Sequence, residues 1–119
     1  KTIWEPGRIV GAYSSSLVLE RIQFSAANRV RISLKYHNKY RSIEPVSFRI
    51  SSKGKKFFIG YEVEAGHTKA FDLDKIQDVV VKHESFLPKY PIEISSRGRI
   101  NMPQIEGKRK TGMYFDTKY

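Results

Sequence analysis

Residues 55–76, KKFFIGYEVEAGHTKAFDLDKI, contain the alternation from which the fold can be predicted. Successive side chains of a strand point to opposite sides, so Phe57 and Ile59 share one face of an extended segment. Phe58 falls on the other face, which it shares with polar residues such as Glu62. A large aromatic side chain on a polar face has two explanations: another part of the chain covers it, or it contacts something that is not protein.

The composition is that of one small globular domain. The chain has 119 residues, of which 39% are hydrophobic and 13% aromatic, enough for one modest core. It has no cysteine, which excludes disulfides and thiolate metal or redox sites and is typical of a reducing compartment. No run of about 18 apolar residues and no leader pattern is present, so we expect a cytoplasmic protein without a membrane partner.

The charge is strongly positive and unevenly distributed, with a formal net charge of +10. The stretch from Arg29 to Lys56 has nine basic residues and one acidic residue, whereas Phe57 to Glu84 has three basic and six acidic. The stretch from Arg97 to Tyr119 has six basic and two acidic residues. Such an uneven distribution of positive charge favours a polyanionic partner. The alternative is that the lysines serve solubility alone.

One helix is predicted near the start. Residues 1–13 show neither period, and we interpret them as a lead-in or linker that packs through Ile3 and Trp4. Three serines then offer hydroxyl groups that cap a helix N-terminus. Leu19, Ile22 and Ala26 follow at helical spacing, which predicts an amphipathic helix over residues 16–28.

After this helix the hydrophobic period changes to two, which predicts five short strands joined by tight turns. Pro45 requires that the second strand starts there, bulges or lies on an edge, and Gly54 suits a hairpin. Asp72 is expected to cap a single helical turn before the fifth strand. The predicted fold is mainly β: a small five-stranded Sm-like or SH3-like barrel over residues 14–86 with an N-terminal α-helix. Residues 87–119 form a basic C-terminal extension, and its removal should leave the barrel folded.

These elements, with the residues at their ends, resemble the WYL domain over roughly residues 17–86. The matching positions are Tyr36, Arg41 and Pro45, the segment Phe57-Phe58-Ile59-Gly60-Tyr61 in place of the family's Trp-Tyr-Leu strand, and the segment from Lys69 to Ile76 in place of its Arg-x-Phe-Arg-Leu-Asp-Arg-Ile motif. Two family arginines are Lys69 and Lys75 here, and a third is Asp72. Because lysine lacks the planar fork of arginine, the resemblance supports an anion site whose geometry differs from the family's.

The resemblance implies a bacterial, cytoplasmic accessory module that binds nucleic acid or nucleotide-like effectors. WYL domains occur in transcription regulators behind a winged helix-turn-helix and as a C-terminal accessory domain of some bacterial helicases. No helix-turn-helix is recognisable in the sequence. We expect the C-terminal accessory domain of a Pif-type helicase, attached covalently to its parent domain, because the basic extension after the domain would suit a module that tracks along a strand.

The candidate nucleic-acid-binding residues are basic or aromatic. Phe58 is a candidate for base stacking, with burial under another segment as an equal alternative. Tyr61 is expected in the core or at its rim, with a ligand role as the second reading. The cationic candidates for phosphate contacts are Arg31, Arg41, Lys56, Lys69 and Lys75. The histidines lack metal-ligand spacing and no catalytic motif is recognisable, so we expect no metal, no cofactor and no enzymatic activity of this domain.

The sequence therefore predicts a module that binds single-stranded DNA, in preference to RNA, with low sequence specificity. The first alternative is a regulatory domain that senses a small anionic, nucleotide-like ligand in a transcription regulator. The second is a structural domain whose basic face docks on an acidic partner domain. The sequence gives no indication of the oligomeric state.

Overall fold

The computed structural model describes residues 15–95 and 99–105. The elements are α1 (Ser15–Asn28), β1 (Val30–Tyr36), β2 (Lys39–Ile50), β3 (Lys56–Glu62), β4 (His67–Asp72), a 3-10 turn (Leu73–Lys75) and β5 (Ile76–Ser85). The strands form one antiparallel sheet in the order β4-β3-β2-β1-β5. The predicted mainly β class, with an N-terminal helix and five strands in a small barrel-like domain, is confirmed. The predicted lead-in of residues 1–13 and the serine hydroxyl caps lie outside the described residues.

The turns have the chemistry that the sequence predicted. His37 and Asn38 have φ values of 52° and 61°, which is the geometry of a two-residue hairpin loop between the paired residues Tyr36 and Lys39. Gly54 has a φ of 87° in the next hairpin, a conformation that side chains rarely adopt. The Asp72 side chain accepts a hydrogen bond of 3.0 Å from the Asp74 N–H, which caps the 3-10 turn as expected.

Helix α1 covers the inner face of the sheet. Val18, Ile22 and Ala26, spaced four residues apart, are buried in the main hydrophobic cluster. The helix ends where Arg29 takes a φ of 55°, and β1 begins at the next residue. The apolar stripe, rather than intrinsic helix propensity, therefore fixes the position of the helix.

A bulge in β2 lets this long strand follow the curvature of the sheet. Pro45 is opposite Gly60 and Ser47 is opposite Ile59, so Val46 is the extra residue. Of the three arrangements that Pro45 allowed, the structure therefore has the bulge. Ile43 and Phe48 are an odd number of positions apart, yet both belong to the main cluster. Without the extra residue they would point to opposite faces.

Strand β3 is buried on both faces, which answers the question raised by Phe58. Phe58 is 0% exposed, and its ring centroid lies 5.7 Å from that of Phe48 and 6.2 Å from that of Phe71. Phe57 and Ile59 belong to a second cluster on the outer face. The hypothesis that Phe58 stacks on a base is therefore wrong for this structure, because its ring offers no exposed face.

Gly60 leaves room for two buried side chains of the inner face, Ile43 and Phe58. A Cβ atom at Gly60 would overlap the Cγ2 methyl of Ile43 and lie 3.1 Å from Cε2 of Phe58. Both neighbours are fully buried, so neither can move without opening the core. Glycine is required here by the packing of the core.

The described part of the C-terminal extension packs on both clusters. Ile94 is buried in the main cluster, and Tyr90 and Ile105 cover the second one. The Glu93 N–H donates to the carbonyl of Val46 over 2.7 Å, and the backbone of Ile50 exchanges 3.0 Å hydrogen bonds with residues 103 and 105. The outer face of the sheet is thus an interior surface of the protein, and we now expect truncation after Phe86 to destabilise the fold.

The first prediction concerns Phe58. Phe58→Ala should lower the free energy of unfolding by about 3–5 kcal/mol, because it leaves a cavity between Phe48 and Phe71. Urea unfolding of the variant would measure the loss. Phe24→Ala is the matched control, since Phe24 is 57% exposed and its truncation should change stability far less. Equal stability of the two variants would contradict the buried position of Phe58.

The second prediction concerns the extension. Removal of residues 87–119 should destabilise the protein, because Ile94 alone contributes about 1.5–3 kcal/mol by its burial. Removal of residues 106–119 is the control, since it keeps every contact described above. Thermal melting followed by circular dichroism would compare the two truncations. If the protein without residues 87–119 has the same melting temperature as the control, the extension is dispensable for folding.

Candidate anion-binding site

Three charged side chains meet on the inner face of the sheet. Arg41 Nη1 lies 3.6 Å from Glu62 Oε1, and Lys69 Nζ lies 2.7 Å from the same oxygen. The side chains of Arg41, Glu62 and Lys69 are 11%, 5% and 12% exposed. We call these three residues the Glu62 cluster.

The strand register brings the Glu62 cluster together. Ile43 pairs with Glu62 and Gly60 pairs with Lys69, so residues on three neighbouring strands face the same side. Arg41 shares the face of Ile43, two positions away on β2. Arg41 and Lys69, which the sequence proposed as anion-binding residues, therefore do converge.

Aromatic rings surround the guanidinium group of Arg41. Its Cζ atom lies 5.8 Å from the ring centroid of Tyr36 and 6.0 Å from that of Phe71, within the range of cation–π attraction. Tyr36 is fully buried, and its hydroxyl accepts a 3.0 Å hydrogen bond from the Asp72 N–H. Tyr36 is thus a core residue whose hydroxyl has a hydrogen-bond partner.

The electrostatics of the Glu62 cluster favour an anion. Two cations face one carboxylate, so the cluster has a formal charge of +1 in a place with little access to water. The carboxylate already lies where a phosphate oxygen would bind between the cations. An incoming anion would therefore have to compete with Glu62 for Arg41 and Lys69.

Arg31 and Tyr61, also proposed as binding residues, take part in packing on the outer face. Arg31 Nη2 lies 3.0 Å from Oε2 of Glu44, a residue that is 2% exposed. Lys89 of the extension lies 3.2 Å from Glu44 Oε1, and its Nζ atom lies 4.5 Å from the centre of the Tyr61 ring. These contacts attach the extension to the sheet, so Arg31 and Tyr61 are separated from the Glu62 cluster.

Lys56 and Lys75 are both exposed, Lys56 at the other end of β3 and Lys75 in the 3-10 turn that follows β4. Lys56 begins β3 and Glu62 ends it, which corresponds to about 20 Å along the strand. Lys53 and Lys55 are exposed in the adjoining hairpin, and Lys55 Nζ lies 3.2 Å from Asp72 Oδ2. We call these four exposed lysines, three in or beside this hairpin and one in the 3-10 turn, the hairpin patch.

Two functional candidates were missed by the sequence reasoning. Tyr40 is 49% exposed, and Lys35 Nζ lies 5.7 Å from its ring centroid. Its position directly after the first hairpin, beside the exposed Lys39, was the available signal. Glu62 was the second omission, because its partners are distant in sequence and only the register reveals them.

Within residues 15–95 and 99–105, no group of three or more histidine, aspartate and glutamate side chains could hold a metal ion. No helix in that part of the chain is long and apolar enough to cross a membrane.

Comparison with known proteins supports the fold. No family model and no curated protein matches the chain. Among solved structures, proteasome accessory factor B/C (PafBC) of Arthrobacter aurescens is similar, with a TM-score of 0.55 and 14% sequence identity. The likeness covers 70% of this chain and 15% of the PafBC chain. PafBC contains a WYL domain, so the likeness supports a WYL-like fold, and at this identity it shows the fold alone.

The third prediction concerns Glu62. Glu62→Gln should lower stability by about 3 kcal/mol, because Arg41 and Lys69 lose the carboxylate that compensates their charge. Inorganic phosphate should restore part of the melting temperature of this variant, since the anion can take the place of the carboxylate. Glu84→Gln is the control, because Glu84 is 54% exposed and its ion pairs should contribute little. Identical melting of both variants, with no response to phosphate, would show that the Glu62 cluster does not recognise anions.

Proposed function

We propose that this domain is an accessory module that binds single-stranded nucleic acid, DNA in preference to RNA, with low sequence specificity. The observation that supports it is the separation of charges by burial. Glu44, Glu62 and Asp72 are each at most 4% exposed and lie against cations. Lys39, the hairpin patch and other cations point into solvent, where a phosphate backbone can reach them.

The aromatic part of this proposal rests on Tyr40 instead of Phe58. A base can stack on any exposed aromatic ring, and such a contact contributes about 1–3 kcal/mol irrespective of sequence. Tyr40 has an exposed ring with Lys35 beside it, and its hydroxyl donates a 2.6 Å hydrogen bond to Asp78 that fixes the ring, so a base could stack there while Lys35 contacts the phosphate of the same nucleotide. A single strand fits this arrangement better than a duplex, whose bases are already stacked.

A second candidate function is the recognition of a small anionic effector, such as a nucleotide, at the Glu62 cluster. Its support is the convergence of Arg41 and Lys69 in a place that is only 11–12% exposed. Such a place suits one phosphate group and is difficult for a long strand to enter. In this case, binding would bias the position of Glu62 and regulate an attached domain.

The setting of the module is part of the proposal. The likeness to a part of PafBC supports a role as one domain attached to others. A bacterial helicase of the Pif type remains our preferred parent, in the cytoplasm, with catalysis performed by the parent and not by this domain. Docking of the basic face on an acidic partner domain is the competing structural role.

The fourth prediction tests strand binding. The affinity for an oligothymidylate of about 20 nucleotides should fall steeply with salt, with a slope of roughly −0.7 in log K against log salt for each phosphate neutralised. Substituting Lys53 and Lys56 together by alanine should weaken binding and make the slope less steep by about 1.4 units. Fluorescence anisotropy of a labelled oligonucleotide over a salt series would measure both effects.

Lys82→Ala is the matched control, since Lys82 lies on β5 and pairs with Glu84 at 3.3 Å. Length dependence separates the two candidate functions. Strand binding should tighten as the oligonucleotide becomes longer, whereas an effector site should saturate with a mononucleotide and be sensitive to Lys69→Ala. Binding that does not change with salt would contradict the electrostatic contribution, and no measurable affinity for either ligand would leave the structural role.

A further inference from the structure

A row of three side chains lies on the outer face of the sheet, beside the first hairpin. Lys35 pairs with Tyr40 on one side and with Asp78 on the other, and residues directly opposite each other share a face. Because β1 lies between β2 and β5, the Tyr40 side chain crosses β1 to donate its 2.6 Å hydrogen bond to Asp78 Oδ2. Its ring centroid lies 5.7 Å from Lys35 Nζ, and Tyr40 remains 49% exposed. We call these three residues the Tyr40 platform.

The Tyr40 platform is fixed by contacts on both of its sides. Arg21 Nη1 of α1 lies 3.9 Å from Asp78 Oδ1, so the acceptor of the Tyr40 hydroxyl is itself positioned. In the hairpin, the Asn38 N–H donates to Gln77 Oε1 over 2.7 Å, and Gln77 Nε2 donates to Asn38 Oδ1 over 2.9 Å. An aromatic ring that is ordered before binding loses little conformational entropy when a base stacks on it.

The Tyr40 platform and the hairpin patch lie at opposite ends of β2. This strand begins at Lys39 and ends at Ile50, and three of the four lysines of the hairpin patch lie in or beside the turn that follows. The part of β2 from Tyr40 to Ile50 is about 33 Å long, and the bulge bends it, so the direct distance is shorter. Stacked nucleotides of one strand rise about 3.4 Å each, so about ten of them reach from one site to the other.

Cations also lie between the two sites. Glu44 follows Tyr40 by four positions on β2, and its carboxylate contacts Arg31 and Lys89. The side chains of these two cations are 28% and 46% exposed, whereas that of Glu44 is 2% exposed. Glu84, which lies 3.6 Å from Arg31, is the exposed acid beside them. Because Glu44 is buried beneath the two cations, their outward sides remain accessible to phosphate oxygens.

We propose that one single strand binds the Tyr40 platform and the hairpin patch at the same time, across the outer face, so that tight binding requires about ten nucleotides. This inference rests on the proposed function and adds the length and the path of the strand. Once a strand is bound at one site, its effective concentration at the other is in the millimolar range, provided that it spans them. The connection therefore raises the affinity about 100-fold or more above that of either site alone.

Oligothymidylates of increasing length test the proposal. With the full chain, the affinity should rise about 100-fold or more between about 5 and about 15 nucleotides, and only slowly beyond that length. Tyr40→Ala should remove this rise, and so should the joint substitution of Lys53 and Lys56 by alanine, because each leaves one site. Lys82→Ala is the control and should keep the rise. All these side chains are exposed or partly exposed, so we expect every variant to have the melting temperature of the original protein.

A fluorescent base gives a second readout. 2-Aminopurine at one end of a strand of about 15 nucleotides should lose fluorescence when it stacks on Tyr40, and Tyr40→Ala should prevent this loss. Affinity that rises gradually with length, with both variants weakening short and long strands by the same factor, would overturn the proposal. So would two long strands bound to one protein. Strand binding would persist in these two cases, whereas an original protein that binds no oligonucleotide would refute the proposed function as well.

Discussion

The bulge at Val46 is the constraint on which the rest of the structure depends. It adds one residue to β2, so Ile43 and Phe48 both reach the interior while Val46 joins the outer cluster. A bulge also bends its strand and increases the local twist, which a small curved sheet requires. The carbonyl of Val46 accepts the hydrogen bond from Glu93, so the same irregularity that curves the sheet also holds the extension.

Each face of the sheet has one buried carboxylate that lies between two cations. Glu44 on the outer face lies between Arg31 and Lys89, and Glu62 on the inner face lies between Arg41 and Lys69. A buried carboxylate without partners would be costly, and each one therefore fixes the positions of two cations. The outer pair connects the extension to the sheet, whereas the inner pair is enclosed by core aromatic rings. The same chemistry thus serves packing on one face and a candidate site on the other.

The sequence was sufficient to predict the helix and the five strands, but it did not reveal that both faces of the sheet are buried. Turn residues such as Asn38 and Gly54 act locally, so the five strands could be placed before the structure was known. Period-two alternation tells which residues share a face, but it does not tell that both faces are buried. Burial and contact with a ligand therefore stayed equal alternatives for Phe58. The covering residues, 86–95 and 99–105, show no sustained period, and their contacts with β2 are long-range hydrogen bonds that no local pattern encodes.

For the same reason, the sequence predicted only part of the candidate anion-binding site. Arg41 and Lys69 could be named from the resemblance, but their common partner Glu62 follows from strand register alone. Arg31 was equally basic in sequence, yet it forms an ion pair with Glu44 on the outer face of the neighbouring strand β2. Alternation cannot distinguish a cation that a buried carboxylate compensates from one that remains in solvent.

Arginine and lysine occupy different environments in this protein, and this difference argues for the kind of recognition that it can perform. Arg31, Arg41 and Arg49 are 28%, 11% and 12% exposed, and each lies in an ion pair with a glutamate. Their planar, multidentate groups suit such fixed geometry. The cations of the hairpin patch are all lysines, which act as mobile point charges on flexible stems. A surface of this kind would follow a phosphate backbone without reading bases, which is the low sequence specificity that our proposal expects.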